Sequence, residues 1–231
     1  MASVWLTKLR PGITYSLRNT TLYCSLTDRV LAEQSLLSSR GPSFTMPANS
    51  GFRPLSVANQ PEPDVATILS ALEDAYTHGY ETDTTYATED DLNGVTFAGA
   101  GDPLVRADIL CEVCAAFKEQ RHGVPITVST LGLVPAAEAS ELVERLDASG
   151  VERLSIFLAA ENPIKYKKVI GPHNNVGFSD VCNFIVAATE KGIKVTTSAI
   201  DRKGVNISGI RSLSQSLGAD FKARTYHDRE T

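Results

Sequence analysis

Chemistry in this 231-residue chain is most legible in one turn, Phe97-Ala98-Gly99-Ala100-Gly101-Asp102-Pro103-Leu104, where an apolar run gives way to a helix-length segment. Gly99 and Gly101 permit close backbone approach to a ligand, and the first amides of a helix point outward unpaired. Asp102 stands at the cap position, and Pro103 suits a first helical turn. Its carboxylate can accept from a ligand amine or cap the helix, and one carboxylate does not readily do both. The plain alternative is a strand-to-helix turn that holds no ligand.

Other polar residues close apolar runs in the same way. Ser129-Thr130-Leu131-Gly132 ends one run, Ser155 lies in the next, and Thr196, Thr197 and Ser198 end another. Their hydroxyls either face a cavity or satisfy backbone groups. Lys222 and Arg224 share a face by strand alternation, and one face of a barrel strand looks into the lumen. Arg224 is therefore a candidate partner for a carboxylate or phosphate, with a surface ion pair as the ordinary alternative. Asp28, Glu161 and His173 are the candidate bases, though each such residue is more often a loop or surface residue. His173 sits in the polar turn from Ile170 to Asn175, preceded by Lys165, Lys167 and Lys168, which reads as an anion-binding lip or a solvated charge cluster.

Metal chemistry finds little support in the spacing. Cys111 and Cys114 lie three apart on an expected helix and read as packing residues, while Cys24 and Cys182 stand apart from them. Four cysteines so placed make no disulfide framework and point to a reducing, cytoplasmic setting. His78, His122, His173 and His227 form no compact ligand motif.

The elements that must position these groups repeat: an amphipathic helix, a glycine, then a short apolar strand, around Gly123, Gly150, Gly192 and Gly218. Strands are expected at 20–27, 93–98, 125–130, 153–159, 193–199 and 219–225. Apolar stripes on Val65/Ile68/Leu72, Leu110/Val113/Phe117, Leu142/Val143/Leu146, Val181/Ile185/Ala188 and Ile207/Ile210/Leu213 mark five helices. Strands separated by helices feed a parallel sheet. The stretch 38–63 carries five prolines and reads as a long irregular loop, and 77–91 reads as a solvated acidic loop. The length fits a single domain over 1–231. A formal charge of -5, with 22 basic and 27 acidic residues, shows no bias toward nucleic acid, and no apolar run reaches membrane length.

From Tyr15 to Tyr226 the chain resembles the core domain of the radical S-adenosylmethionine superfamily, above all its short members. The likeness is carried by Leu22-Tyr23-Cys24-Ser25-Leu26-Thr27-Asp28-Arg29, by the turn Gly99 to Leu104, and by Thr130-Leu131-Gly132 in place of a Thr-Asn-Gly turn. Ser155, Asn162-Pro163-Ile164-Lys165-Tyr166 and the ending Leu217 to Tyr226 extend it. The resemblance implies an α/β fold: a partial (βα)6 TIM-like barrel with a mainly parallel sheet.

The family carries a C-x3-C-x2-C loop whose thiolates hold an iron–sulfur cluster; here those positions fall on Val30, Gln34 and Leu37. The chain therefore reads as a degenerate member with no iron–sulfur cluster expected, and Val30 to Leu37 reads as a short amphipathic helix closing the cavity mouth. What the resemblance implies beyond the cluster is the organic half of a site for S-adenosylmethionine. Asp102, one methylene shorter than the usual Glu, would take the methionyl amine beside Gly99, Gly101 and Thr130. Ser155 would serve the ribose or carboxylate, Ser198 the adenine side, and Arg224 a carboxylate, while Phe157 and Ala159 replace residues often polar in relatives. Two functions from different classes follow. One is binding of S-adenosylmethionine, a related nucleoside or a small carboxylate, with non-radical chemistry and no assigned catalytic residue. The other is a noncatalytic regulatory or structural role, with a homo-oligomer or protein partner protecting exposed sheet edges.

Overall fold

The computed structural model describes residues 7–18, 21–81, 86–87, 92–173 and 175–228. Asn174 of the polar turn and 82–85 and 88–91 of the acidic stretch lie outside the described residues. In chain order the first elements are β1 (Thr7–Lys8), β2 (Thr14–Arg18), β3 (Thr21–Cys24), α1 (Val65–His78), β4 (Tyr80–Glu81), β5 (Tyr86–Ala87) and β6 (Val95–Phe97). There follow α2 (Ala107–Gln120), β7 (Ile126–Thr130), α3 (Ala136–Ala148), β8 (Val151–Phe157), α4 (Pro163–Ile170), α5 (Phe178–Lys191), β9 (Lys194–Asp201), α6 (Ile207–Ser216) and β10 (Asp220–Thr225).

The main sheet has seven strands in the order β10-β9-β8-β7-β6-β3-β2. All its pairings are parallel except that of β2 with β3, so it is an unclosed α/β sheet of the partial-barrel type. The six parallel strands sit where apolar runs predict them. β2 joins as an antiparallel edge, and β1, β4 and β5 form a separate small sheet.

Alternation divides each strand between two environments. Leu22, Cys24, Val95, Phe97, Ile126, Val128, Leu154 and Ile156 point to the helical layer and are at most 1% exposed. They join Ile68, Leu72, Leu110, Val113, Phe117, Leu146, Phe184 and Ile185 in one core. Burying each such side chain stabilises the fold by about 1.5–3 kcal/mol. The alternate residues, among them Tyr23, Thr96, Thr127, Ser129, Ser155 and Arg224, line the opposite, concave face.

Three local expectations change. Of the stretch 77–91, Thr77 and His78 complete α1, and Tyr80, 1% exposed, begins β4, which pairs with β1 and β5, so this part is not a solvated loop. Residues 30–37 are not helical; Ala32 bridges to Pro172, Glu33 N donates to Gly171 O at 2.9 Å, and Gln34 N to Ile170 O at 3.1 Å. Backbone groups that would have closed a helix instead bond across to the end of α4, so tertiary pairing overrides the local apolar spacing. α4 is itself a helix that apolar periodicity does not reveal, because eight residues give too few repeats. Its cap chemistry is present all the same: Asn162 Oδ1 accepts from Lys165 N at 3.0 Å, and Pro163 occupies the first turn.

The 38–63 stretch is irregular, as its prolines imply, with single 3₁₀ turns at Ser38–Arg40 and Ala48–Ser50. Asp28 pins it by accepting from Leu55 N, Ser56 N and Ser56 Oγ at 3.1, 2.9 and 2.8 Å. Glu62 pairs with Arg29 at 2.8 Å and accepts from Thr27, while Arg106 donates to Leu26 O and Pro63 O, each at 2.8 Å. Asp28, a candidate base, thus spends both carboxylate oxygens on anchoring this loop.

Candidate functional site

The concave face encloses a cavity of about 250 Å³. Its floor is the row of strand residues Thr96, Ser129, Ser155 and Arg224, with Tyr15 and Tyr23 on one side and Phe157 and Ile200 on the other. The segment after β3 roofs it with Leu36, Leu37, Arg40, Phe44 and Met46. Among the described residues lining it there is no carboxylate, imidazole, thiol or amine.

Register explains the floor. Ser129 lies opposite Ser155, and Arg224 opposite Ile200, so parallel pairing carries these side chains to one face near the carboxyl ends of β7 to β10. Arg224 Nη2 donates to Ser155 Oγ at 3.3 Å, its Nε is buried without a hydrogen-bond partner, and among the described residues it makes no ion pair. Burial pushes its pKa down and the nearby Arg40 charge adds to this, while Tyr23 opposes both. Burial also raises the Tyr15 phenol, which keeps it a neutral donor.

Arg40 is the residue that sequence reasoning does not single out. Its guanidinium stands 4.7 Å over the Phe44 ring, Nη2 is 3.5 Å from His227 Nε2, and Nε is buried without a partner. The place of Arg40 depends on a long-range contact: His227 N donates to Arg40 O at 2.8 Å and Ser43 N to His227 O at 3.2 Å. Gly41 allows this closeness, having φ 112° and room for no Cβ, which would stand 2.2 Å from His227 O. The dipeptide Arg40-Gly41 ahead of Pro42 was the available signal, and it is a weak one.

Asp102 faces elsewhere. Oδ2 accepts from Thr130 Oγ1 at 2.9 Å and Leu131 N at 2.7 Å, and Oδ1 caps Leu104 N at 3.0 Å. Thr130 Oγ1 in turn accepts from Gly132 N at 2.9 Å. Burial raises the Asp102 pKa, against the pull of these three donors. Its groove, of about 580 Å³, is shared with Leu31, Leu104 and Leu133 and is separate from the cavity that holds Arg224.

The glycine-rich turn grips the chain after β3. Gly101 N donates to Thr27 O at 3.1 Å and Asp102 N to Arg29 O at 2.9 Å. A Cβ on Gly101 would stand 2.5 Å from both the Thr27 and Arg29 carbonyl oxygens, and one on Gly99 2.6 Å from Ser25 Oγ. The close approach that these glycines permit is therefore made by the protein itself, by backbone at Gly101 and by the Ser25 side chain at Gly99. Of the sequence-predicted residues, the structure brings Gly99, Ser155 and Arg224 to one cavity. Gly101, Asp102 and Thr130 stand behind it, and the Ser198 hydroxyl is buried without a partner, opposite Phe157 and Lys222 in register.

At the three positions where the resemblance would place cluster thiolates, Leu37 roofs the cavity, Gln34 Oε1 accepts from Ser38 Oγ at 3.0 Å, and Val30 supplies no ligand atom. Burial pushes the Cys24 thiol up to about 12 and raises Cys114 as well. Half-buried Cys182 is pushed up to about 11. Among the described residues no three His, Cys, Asp or Glu side chains converge on a point where a metal ion could be held. The residues present do not fit an iron–sulfur cluster, which requires thiolate ligands. Of the lysines before His173, Lys165 pairs with Glu161, and Lys168 lines a neighbouring groove with Arg202. No helix among the described residues is long and apolar enough to cross a membrane.

No protein-family profile matches the chain. It is 28% identical over 124 residues to a probable GTP 3',8-cyclase of Pyrobaculum aerophilum, a match covering 52% of this chain and 37% of that protein. The GTP 3',8-cyclase of Aquifex aeolicus is 28% identical over 131 residues, covering 55% and 39%, and that of Rhizobium etli 32% over 114 residues, covering 49% and 31%. The matches thus span well under half the length of these curated relatives. A solved structure of TYW1 with a lysine-pyruvate adduct bound superposes with a TM-score of 0.57 at 13% identity, over 90% of this chain and 65% of that one. Together these likenesses show a distant relation to such proteins and a degenerate, radical-SAM-like partial barrel.

Proposed function

We propose that this cluster-free, radical-SAM-like chain binds a carboxylate-bearing small molecule in the concave cavity, S-adenosylmethionine and related nucleosides being the ligands that its relationship suggests. Arg224 carries the reading: a mostly buried guanidinium with no ion pair among the described residues, set beside Ser155 at the strand ends. Open α/β sheets take their ligands at this end. A buried cation without a counterion is costly, and a ligand carboxylate repays that cost with charge-assisted hydrogen bonds.

The lining favours binding over catalysis. With no carboxylate, imidazole, thiol or amine among the described lining residues, the cavity offers donors and flat apolar walls but no general base. A roof closed by Leu36, Leu37, Phe44 and Met46 suits a regulatory or ligand-sensing role on the same fold equally well. The carboxylate reading is tested by calorimetric titration with S-adenosylmethionine and with a panel of small carboxylates. The expected result is saturable binding of at least one of them, lost in Arg224→Gln. Absence of binding by every carboxylate at millimolar concentration sinks it.

A further inference from the structure

Arg224 does not face the cavity alone. Arg40 reaches the same space from the roof, on the segment that follows β3. Each guanidinium retains a buried Nε without a partner. Among the described residues neither makes an ion pair, and no acidic side chain lines the cavity between them. A guanidinium offers five N–H donors in a planar fork, of which Arg224 commits one at 3.3 Å, toward the long end for a hydrogen bond. Two such forks converging without an anion are unfavourable, and Arg224 accordingly has its pKa lowered by burial and by the charge of Arg40.

We infer that Arg40 and Arg224 form a two-arginine clamp for a compact, flat carboxylate about one aromatic ring in size. The inference rests on the carboxylate-binding reading above and adds to it the second arm and the ligand class. Size follows from the cavity: about 250 Å³ lies below the ~300–1,000 Å³ of typical ligand sites. Shape follows from the walls, where Tyr15 and Tyr23 stack with centroids 5.1 Å apart at 26° and Phe157 lies beyond them. A planar body slots against such walls, and a planar carboxylate meets both guanidinium forks edge-on. Tetrahedral phosphate uses the forks and leaves the aromatic surface uncovered.

The clamp is tested by titrating the protein with benzoate, nicotinate, succinate, S-adenosylmethionine and inorganic phosphate, then repeating the titration on Arg40→Gln and Arg224→Gln. Both aromatic carboxylates are expected to bind, and each substitution to weaken them about 10-fold or more, as loss of a charge-assisted pair does. A second measurement uses the unmodified protein: modification of arginines by a dicarbonyl reagent, mapped by mass spectrometry, with benzoate expected to slow the reaction at both Arg40 and Arg224. Protection or weakening at Arg224 alone overturns the clamp and leaves the carboxylate reading standing. Preference for phosphate, succinate or S-adenosylmethionine overturns the ligand class. If no carboxylate binds at all, both readings fall.

Discussion

Asp102→Ala is expected to cost about 3 kcal/mol of stability, through the loss of an internal clasp. The carboxylate takes three donors: Thr130 Oγ1, Leu131 N and Leu104 N. Leu131 is 1% exposed and Thr130 0%, so in the folded protein neither donor meets solvent in place of this acceptor. Leaving the Leu131 amide unsatisfied costs ~1–3 kcal/mol and the orphaned hydroxyl ~1 kcal/mol. The Leu104 cap adds ~1 kcal/mol, softened by partial access to solvent. Against this stands the relieved cost of burying a carboxyl whose pKa burial already raises, which brings the sum back to about 3 kcal/mol. Urea denaturation reads this directly: with a slope of ~3 kcal/mol per molar for a chain of this size, the midpoint falls by about 1 M. A double-mutant cycle with Thr130→Val should show coupling of ~1 kcal/mol, since the two side chains share one bond. A loss below ~1 kcal/mol, or additive effects in the cycle, would refute the clasp.

Three further outcomes follow from the same geometry. Asp102→Asn is expected to lose most relative to the unsubstituted protein at acid pH. The folded carboxyl binds its proton more tightly than the unfolded one, so its contribution is fullest below ~3.9 and declines as pH rises through the raised folded value; denaturation curves across that range check the trend. Gly101→Ala should destabilise by ~2–4 kcal/mol, because its Cβ meets two backbone oxygens at 2.5 Å, whereas Gly123→Ala, with nothing within 4 Å, should fall within ~0.5 kcal/mol of neutral by thermal melting. Cys24 and Cys114 should react with a thiol reagent at neutral pH only on unfolding, and anaerobic iron–sulfur reconstitution should yield no stoichiometric visible chromophore; rapid native labelling of Cys24 or a stable bound cluster would contradict the burial described.

Much of the scaffold is legible in the chain because burial leaves a periodic trace. Strands such as Ile126–Thr130 and Lys194–Asp201 and stripes such as Leu110/Val113/Phe117 are recoverable from spacing alone, since one face must be apolar in either case. That Val30, Gln34 and Leu37 can supply no thiolate is equally plain, because ligand chemistry depends on residue type. Conformation there was not legible: residues 30–37 look amphipathic, yet their backbone groups pair with Gly171, Ile170 and His173, more than a hundred residues away in sequence. Local propensity carries no information about a partner so distant.

The polar groups show the same division more sharply. Residue types alone mark Asp102, Thr130, Ser155 and Arg224 as groups worth placing at the strand ends, and alternation puts Arg224 on one face of its strand. Which space each group enters is a matter of tertiary structure. Parallel register carries Arg224 to Ser155 on the concave face, while the Asp102 carboxylate closes on Thr130 and Leu131 behind it. Arg40 stands near Arg224 on a segment whose backbone His227, nearly two hundred residues on, bonds at Arg40 O. Composition and period determine what must be buried; which polar group meets which depends on contacts between residues far apart in sequence, and those exist only once the sheet has formed.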